Sequence, residues 1–285
     1  MNANWIVAAE KAIGESIEQI TAVSGGDFAK SYCATLGTGE RLFIKTHRQP
    51  PEGFFTTEAT GLQWLAESNS VAIPRVRAVC DSPPFLALEW IEQGVSSAHT
   101  EEDFGRLLAR LHQCSFPRFG RQDNRLTGSL GLSNNSCDSW AEFYSTRRLL
   151  PLARLARDKN ALPGATLSDI EALAYRLNNY DVQNEHAALL HGDLWAGNRI
   201  IDTNGVSWLI DPACYGGHRE FDLAMMRLFG GFDSDCFDAY NEVYPLADGW
   251  EERISLHQLA PLIVHAIKFG GGYVSEVQSA LRLYS

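Results

Sequence analysis

The stretch His191-Gly192-Asp193-Leu194-Trp195-Ala196-Gly197-Asn198, followed thirteen residues past Asn198 by Asp211-Pro212-Ala213, decides how this chain is read. Apolar Ala188–Leu190 leads into the first segment and Val206–Ile210 into the second. Asp193 and Asp211 therefore stand at the ends of strand-like runs, where side chains can converge. Asn204-Gly205 joins Arg199–Asp202 to Val206–Ile210, a strong hairpin signal. Asn198 and Asp211 offer hard oxygen donors of the kind Mg²⁺ takes together with substrate phosphates. Asp193 is then left to accept a proton from a hydroxyl nucleophile. A lone Asp or Asn in a turn usually bonds its own backbone; the full set at this spacing argues for chemistry.

Upstream, the first 90 residues read as mixed α and β. Strand-like Ile20–Val23 and Ser31–Leu36 flank the turn Ser24-Gly25-Gly26, and Gly37-Thr38-Gly39 joins Ser31–Leu36 to Arg41–Thr46 as a hairpin. A helix is expected over Thr56–Glu67, then strands at Val76–Cys80 and Phe85–Leu88. After Glu89 the pattern becomes helical. Thr100-x-x-Asp103, Ser139-x-x-Glu142 and Ser168-x-x-Glu171 read as capping boxes opening three helices. Cys114–Cys137, rich in Gly, Ser, Asn and Arg, is a long irregular connection, and the chain ends in helical material around Leu256–Phe269. The reading is α+β in two lobes: a small β-rich N-lobe over 1–90 and a larger, mostly helical C-lobe over 91–285.

Composition removes several function classes. With 24 Lys+Arg against 35 Asp+Glu the net charge is −11, which argues against non-specific nucleic-acid binding and against docking on anionic lipid. It leaves room for a small anionic ligand in a locally basic pocket. The six cysteines (Cys33, Cys80, Cys114, Cys137, Cys214, Cys236) include no C-x-x-C pair, which argues against a zinc or dithiol redox motif. The start, Met1-Asn2-Ala3-Asn4-Trp5, lacks a basic region before an apolar run, and no run of about 18 apolar residues follows. A cytoplasmic protein is expected, with no membrane span.

The loops around Asp193 and Asp211 resemble the catalytic and metal loops of the protein-kinase-like phosphotransferases. They resemble most closely the fructosamine kinase (ketosamine-3-kinase) family. The matching stretches are Leu190–Asn198 and Asp211-Pro212-Ala213-Cys214-Tyr215-Gly216-Gly217-His218-Arg219-Glu220-Phe221-Asp222-Leu223-Ala224-Met225. The related aminoglycoside and choline kinases usually carry His where this chain has Trp195. The resemblance implies a protein-kinase-like two-lobe fold and the following roles. Asp193 is the catalytic base for a sugar hydroxyl. Asn198 and Asp211 are the Mg²⁺ ligands. Lys45, at the end of Leu42-Phe43-Ile44-Lys45, is the strand lysine that meets the ATP phosphates, aimed by Glu58. Gly25 and Gly26 form the nucleotide loop, and backbone groups of Glu89 and Ile91 meet the adenine edge. His191 and Asp222 support the catalytic loop. Trp195, His218, Arg219 and Glu220 line or support the acceptor side. Some family members place a redox-active cysteine directly after the Gly-Gly; Asp27 stands there in this chain.

The function so implied is ATP-dependent phosphorylation of the C3 hydroxyl of a ketosamine, a fructosamine or ribulosamine on a small amine or a glycated protein, in deglycation. Two alternatives remain open from sequence. One is a kinase of the same fold acting on an aminoglycoside, choline or another amino alcohol, which Trp195 argues against. The other is a non-catalytic nucleotide-binding protein, which the intact Lys45, Glu58, Asp193, Asn198 and Asp211 argue against. A regulatory protein kinase is disfavoured because Asp211 to Asp222 is too short for a long activation loop.

Overall fold

A computed structural model describes residues 4–24, 29–128, 130–179 and 185–284. Gly25 and Gly26 of the expected nucleotide loop, and Asp27 after them, lie outside these residues. The chain divides into two compact units: Met1–Thr100 with Gly197–Cys214, and Glu101–Ala196 with Tyr215–Ser285. Each is built from two separate segments. The hairpin segment 197–214 groups with the first unit.

In the first unit, α1 (Asn4–Ile13), β1 (Ile17–Val23), β2 (Lys30–Leu36), β3 (Arg41–Thr46), α2 (Phe54–Glu67), β4 (Val76–Asp81) and β5 (Pro84–Glu89) build a five-stranded antiparallel sheet of order β1-β2-β3-β5-β4. Strand residues alternate between two faces, and the sequence fills each face with apolar groups. Leu42, Ile44, Phe85 and Ala87 bury against Trp5 and Ala9 of α1. Leu86 and Leu88 bury on the opposite face against Phe55, Ala59 and Leu62 of α2, with Phe43 packed beside them. Lys45, next after Ile44, takes Phe43's face and therefore points toward α2. The helix α1 was not anticipated from sequence.

The hairpin of β7 (Arg199–Ile201) and β8 (Ser207–Leu209) pairs as Asn204-Gly205 predicts. It is tied to the first unit through backbone bonds: Gly94 N–H donates to Ile201 O (2.8 Å) and Leu209 N–H to Ala72 O (2.9 Å). A Cβ on Gly94 would stand 2.3 Å from Asp202 O, so this approach needs glycine.

The second unit is helical around a short strand pair. It contains α3 (Thr100–Gln113), α4 (Trp140–Phe143), a π-helical turn (Tyr144–Leu149), α5 (Leu150–Asp158), α6 (Gly164–Arg176), α7 (Glu220–Phe229), α8 (Ser234–Val243), α9 (Trp250–Phe269) and α10 (Gly272–Leu281). β6 (Ala188–Leu190) pairs with β9 (Tyr215–Gly217), Leu190 facing Tyr215. Ser139 caps α4 as expected, its hydroxyl accepting from Glu142 N–H (3.1 Å). The other two boxes behave differently. Ser168 lies inside α6, which begins at Gly164 behind Pro163, where proline's fixed φ suits a helix start. Thr100 does open α3, but its hydroxyl donates to Gly205 O (2.8 Å).

Helix α9 carries Pro261 in its interior. Proline has no N–H, so the carbonyl of His257 four residues earlier loses its helical donor. The buried Tyr144 hydroxyl shares its one proton between that carbonyl and Leu256 O (2.9 and 2.8 Å), which holds this part of α9 to the π turn. Among the described residues no helix is long and apolar enough to cross a membrane.

Candidate active site

The first unit gathers a buried ion cluster. Phe55, Leu62 and Leu65 form the buried stripe of α2, and Glu58 falls on it by helical spacing. Its carboxylate is thereby drawn inside and needs a partner. Lys45, only 6% exposed, supplies it: Nζ donates to Glu58 Oε1 at 2.7 Å and also to Asp211 Oδ1. Burial works to discharge Lys45, but the two carboxylates outweigh it and raise its pKa, so the ammonium stays charged. Burial likewise raises Glu58, with Asp211 adding to the rise and Lys45 opposing it.

Asp211 is held in the left-handed region at φ 56°, sparsely populated for a non-glycine residue and frequent at functional sites. The hairpin explains how Asn198 reaches it across thirteen residues of chain. Arg199 faces Leu209, and Ile210 N–H donates to Asn198 O (3.0 Å), so positions 198 and 211 come to the same end of the ladder. Asn198 is buried, while the Asp211 side chain keeps 29% exposure. Amide and carboxylate oxygens are the donors a hard divalent cation takes, so the pair fits Mg²⁺. The Glu89 N–H is spent on Arg75 O (2.9 Å) and its carboxylate accepts from Arg75 N–H (3.2 Å). An adenine contact at Glu89 would therefore use its carbonyl. Ile91 directly follows this strand end and Trp90.

The second unit holds the loop that begins at His191. Asp222, fully buried on α7, accepts the His191 N–H at 2.7 Å on Oδ2 and the Gly192 N–H at 2.9 Å on Oδ1. One carboxylate thus clamps two successive peptide groups, and charge-assisted bonds of this kind are the strong ones. His191 Nδ1 then accepts the Asp193 N–H (3.3 Å). Behind the clamp stands His112, with Nε2 3.3 Å from Asp222 Oδ2 and Nδ1 2.9 Å from the Tyr240 hydroxyl. His112 is buried. Its place on the buried side of amphipathic α3, beside Leu108 and Leu111, is the signal in the sequence that marks it.

Trp195 keeps 39% exposure and meets Phe229 edge-on at 5.9 Å. His218, Arg219 and Glu220 all turn inward, at 2–3% exposure. Arg219 grips Glu185 (2.8 Å) and the carbonyls of Tyr244 and Pro245. Both oxygens of Glu220 are taken by Arg253 (3.0 and 2.7 Å), and His257 Nε2 lies 3.3 Å from Oε2. His218, Glu220 and His257 bring ligand-type atoms within 4.8 Å of one another, but Arg253 already neutralises the carboxylate, so the group acts as an ion-pair brace between α7 and α9. Burial and the neighbouring His257 push His218 down to about 4. Against the burial that would raise it, bonds from His257 and Arg253 pull Glu220 down to about 2.

The sequence model of the fructosamine kinase family matches residues 1–284. The chain belongs to the fructosamine kinase family. A protein of Lactiplantibacillus plantarum named as a ketoamine kinase is 34% identical over 276 residues, covering 94% of this chain and 95% of that one. The chloroplastic protein-ribulosamine 3-kinase of Arabidopsis thaliana is 33% identical, covering 98% and 86%. The crystal structure of a protein from Thermobifida fusca, named as a fructosamine-3-kinase, superposes with a TM-score of 0.91 at 34% identity over 98% of this chain and 97% of that one. More distant solved structures, among them a macrolide 2′-phosphotransferase and a choline kinase, share the fold alone at 14–16% identity and TM-scores of 0.60–0.67. The fold is α+β and protein-kinase-like, and the family is one of phosphotransferases.

Proposed function

We propose that this fructosamine kinase family member transfers the γ-phosphoryl group of ATP to the C3 hydroxyl of a ketosamine, on a small amine or a glycated protein. The observation that carries the reading is the Lys45–Glu58–Asp211 cluster. One buried ammonium is shared by two carboxylates, leaving a surplus negative charge at the end of the hairpin that also bears Asn198. A divalent cation held by Asn198 and Asp211 would neutralise phosphate charge. Lys45, aimed by Glu58, would hold the nucleotide phosphates, and the Glu89 carbonyl with the Ile91 N–H would meet the adenine edge. Gly25 and Gly26 are assigned to the nucleotide loop on the resemblance alone.

Phosphoryl transfer needs mainly positioning and charge neutralisation. The acceptor oxygen forms its bond to γ-phosphorus as the bond to the β–γ bridging oxygen breaks. Asp193 orients the hydroxyl and takes its proton late in the transfer. The Asp222 clamp, backed by His112, holds the backbone from which Asp193 projects. Trp195 stands on the acceptor side of the same loop. The 3-phosphate destabilises the adduct, so the role is deglycation. All six cysteines are free thiols, which suits a cytoplasmic setting.

The test is ADP release with Mg·ATP against a fructosamine, a ribulosamine, an aminoglycoside and choline. Release with a ketosamine alone, lost in Asp193→Asn, is the expected result. Release only with another acceptor would move the substrate, and release with none would remove the reading.

A further inference from the structure

The long connection 114–137, which the phosphoryl-transfer machinery leaves unused, widens the strand ladder from which the Asp193 loop springs. At one end of that ladder Leu190 faces Tyr215. Gly120 and Gly216 exchange both backbone bonds (2.8 and 2.9 Å), so antiparallel register sets Arg121 beside Tyr215. Arg121 N–H then donates to Asn134 O at 2.7 Å. Beyond Leu190 the chain runs into His191–Asp193. Beyond Arg121 it runs out through 122–127 and returns through 132–134, with Thr127 and Leu132 exchanging backbone bonds (3.1 and 3.0 Å). Both excursions therefore leave the same end of the ladder, two strand spacings or about 10 Å apart. Arg148, buried in the π turn, fixes the second one there. Its guanidinium lies 4.7 Å from the Tyr215 ring centre and donates to Ser133 O (2.9 Å) and Asn134 Oδ1 (2.6 Å). Asn134 Nδ2 in turn donates to Arg125 O (2.8 Å) and Thr127 Oγ1 (2.9 Å). Burial raises the pKa of the Tyr215 hydroxyl, Arg148 opposes the rise, and Asp222 and Asp193 add to it. Asp193 thus lies within electrostatic reach of the ring that Arg148 covers.

This arm is basic in an acidic chain. Residues 118–148 hold five arginines against three acidic residues, whereas the whole chain carries −11. Among the described residues no carboxylate pairs with Arg148. Asp123 is gripped by buried Arg121 (2.8 and 2.7 Å) and accepts the Arg125 N–H (3.2 Å). Arg125 Nε stands 3.7 Å from the same carboxylate, and its side chain is 41% exposed. We propose that Arg125 binds a carboxylate on the amine-side substituent of the acceptor, and so favours ketosamines of amino acids over those of neutral amines. This rests on the ketosamine reading above. In such an acceptor the reacting hydroxyl is on C3 and the nitrogen on C1, so the carboxylate lies five bonds from C3. That path and an arginine side chain each reach about 6 Å when extended, which together span the offset between the two excursions. A guanidinium takes a carboxylate through two parallel, charge-assisted bonds, which a neutral amide of the same shape does not match.

The experiment compares kcat and KM for the fructosamines of glycine and glycinamide in the full chain, in Arg125→Gln and in the conservative Arg125→Lys, at low and high salt. The two acceptors differ in charge at nearly constant shape. The expected result is a KM about three- to tenfold lower for the glycine derivative, the worth of a well-formed surface ion pair, with the difference shrinking as salt rises. Arg125→Gln brings the two KM values together by raising that of the glycine derivative, and the change falls on KM rather than kcat. Arg125→Lys keeps the charge without the fork and retains part of the difference. Equal KM values for the two derivatives in the unaltered chain overturn the proposal, as does an equal loss for both in Arg125→Gln. Should Arg125→Gln fail to fold, the salt dependence in the unaltered chain still decides, and a difference that salt does not move overturns the proposal too. If the unaltered chain phosphorylates no fructosamine at all, the ketosamine reading fails and takes this inference with it. Turnover of the glycinamide derivative separates the two failures.

Discussion

Two buried charge clusters of similar make-up are balanced differently in this molecule. In the first unit Lys45 stands between Glu58 and Asp211, with side-chain exposure rising from 7% to 12% to 29% across the three. In the second, Glu220 stands between Arg253 and His257 at 2%, 12% and 3%. The first carries one cation against two carboxylates and opens toward solvent at Asp211. The second balances one carboxylate with one guanidinium and is sealed. Buried charge costs several kcal/mol unless paired, so both clusters had to be compensated. The difference lies in what remains: a surplus negative charge with an open end in the first, the feature on which the proposed cation and phosphate site rests, and a closed set that ties two helices together in the second. Burial of an ionisable group is thus a poor sign of function by itself, and the residual charge together with access is a better one.

That contrast predicts a separation of activity from stability. The largest effect falls on the loop that neither cluster contains: Asp193→Asn should lower kcat by a factor of order 10²–10⁴, the worth of a positioned acid or base, with an unchanged melting temperature. Normal turnover by that variant would remove Asp193 from its role. Lys45→Met should lower kcat/KM for ATP by about 10²-fold, as loss of an electrostatic contact does. Stability should fall by only about 1 kcal/mol, since Glu58 can take up a proton when its partner is gone. Steady-state kinetics beside a urea titration reads both, and an intact kcat/KM with a large loss of stability would make the first cluster a brace like the second.

Glu220→Gln should do the reverse. Removing one partner of a buried pair costs about 3 kcal/mol, seen as a lower urea midpoint, while kcat per folded molecule stays within about twofold. A variant of unchanged stability that has lost activity would place Glu220 in the chemistry. Acid should find the same weak point. The folded-state pKa of His218 is depressed, from 6.5 to about 4, so the neutral form belongs to the fold. Stability is full above pH 6.5 and falls as pH drops toward 4, by on the order of 2–3 kcal/mol. Glu220, depressed from 4.5 to about 2, extends the loss through the window between those values. The unfolding free energy of a His218→Phe variant should be flatter over pH 6.5–4. The smallest effect is local: Ser139→Ala removes the α4 cap and should cost about 1 kcal/mol with no change in kinetics, which checks that modest destabilisation alone does not mimic loss of Lys45.

Much of this arrangement follows from the amino-acid sequence directly, because it rests on rules that act over a few residues. Period-two alternation put Lys45 on the α2 face of its strand, and helical spacing put Glu58 on the buried stripe that meets it. Asn204-Gly205 closed the hairpin that brings Asn198 and Asp211 to one end. The chemistry of the loops from Leu190 to Met225 carried the family and hence the fold. The tertiary structure alone decided the rest. Ser168 has the neighbours of a cap, but packing of Thr166 and Leu167 begins α6 a turn earlier. His218, Arg219 and Glu220 look like polar residues near a site, yet their partners Glu185, Arg253 and His257 lie 33 or more residues away or on the other side of a helix pair, and only folding brings those charges inside. His112 becomes part of the Asp222 clamp for the same reason. Segment 197–214 joins the first unit through backbone bonds to Gly94 and Ala72 that no local pattern announces. Turn chemistry and periodicity are properties of neighbouring residues, whereas burial and ion pairing belong to elements that meet only when the chain has folded.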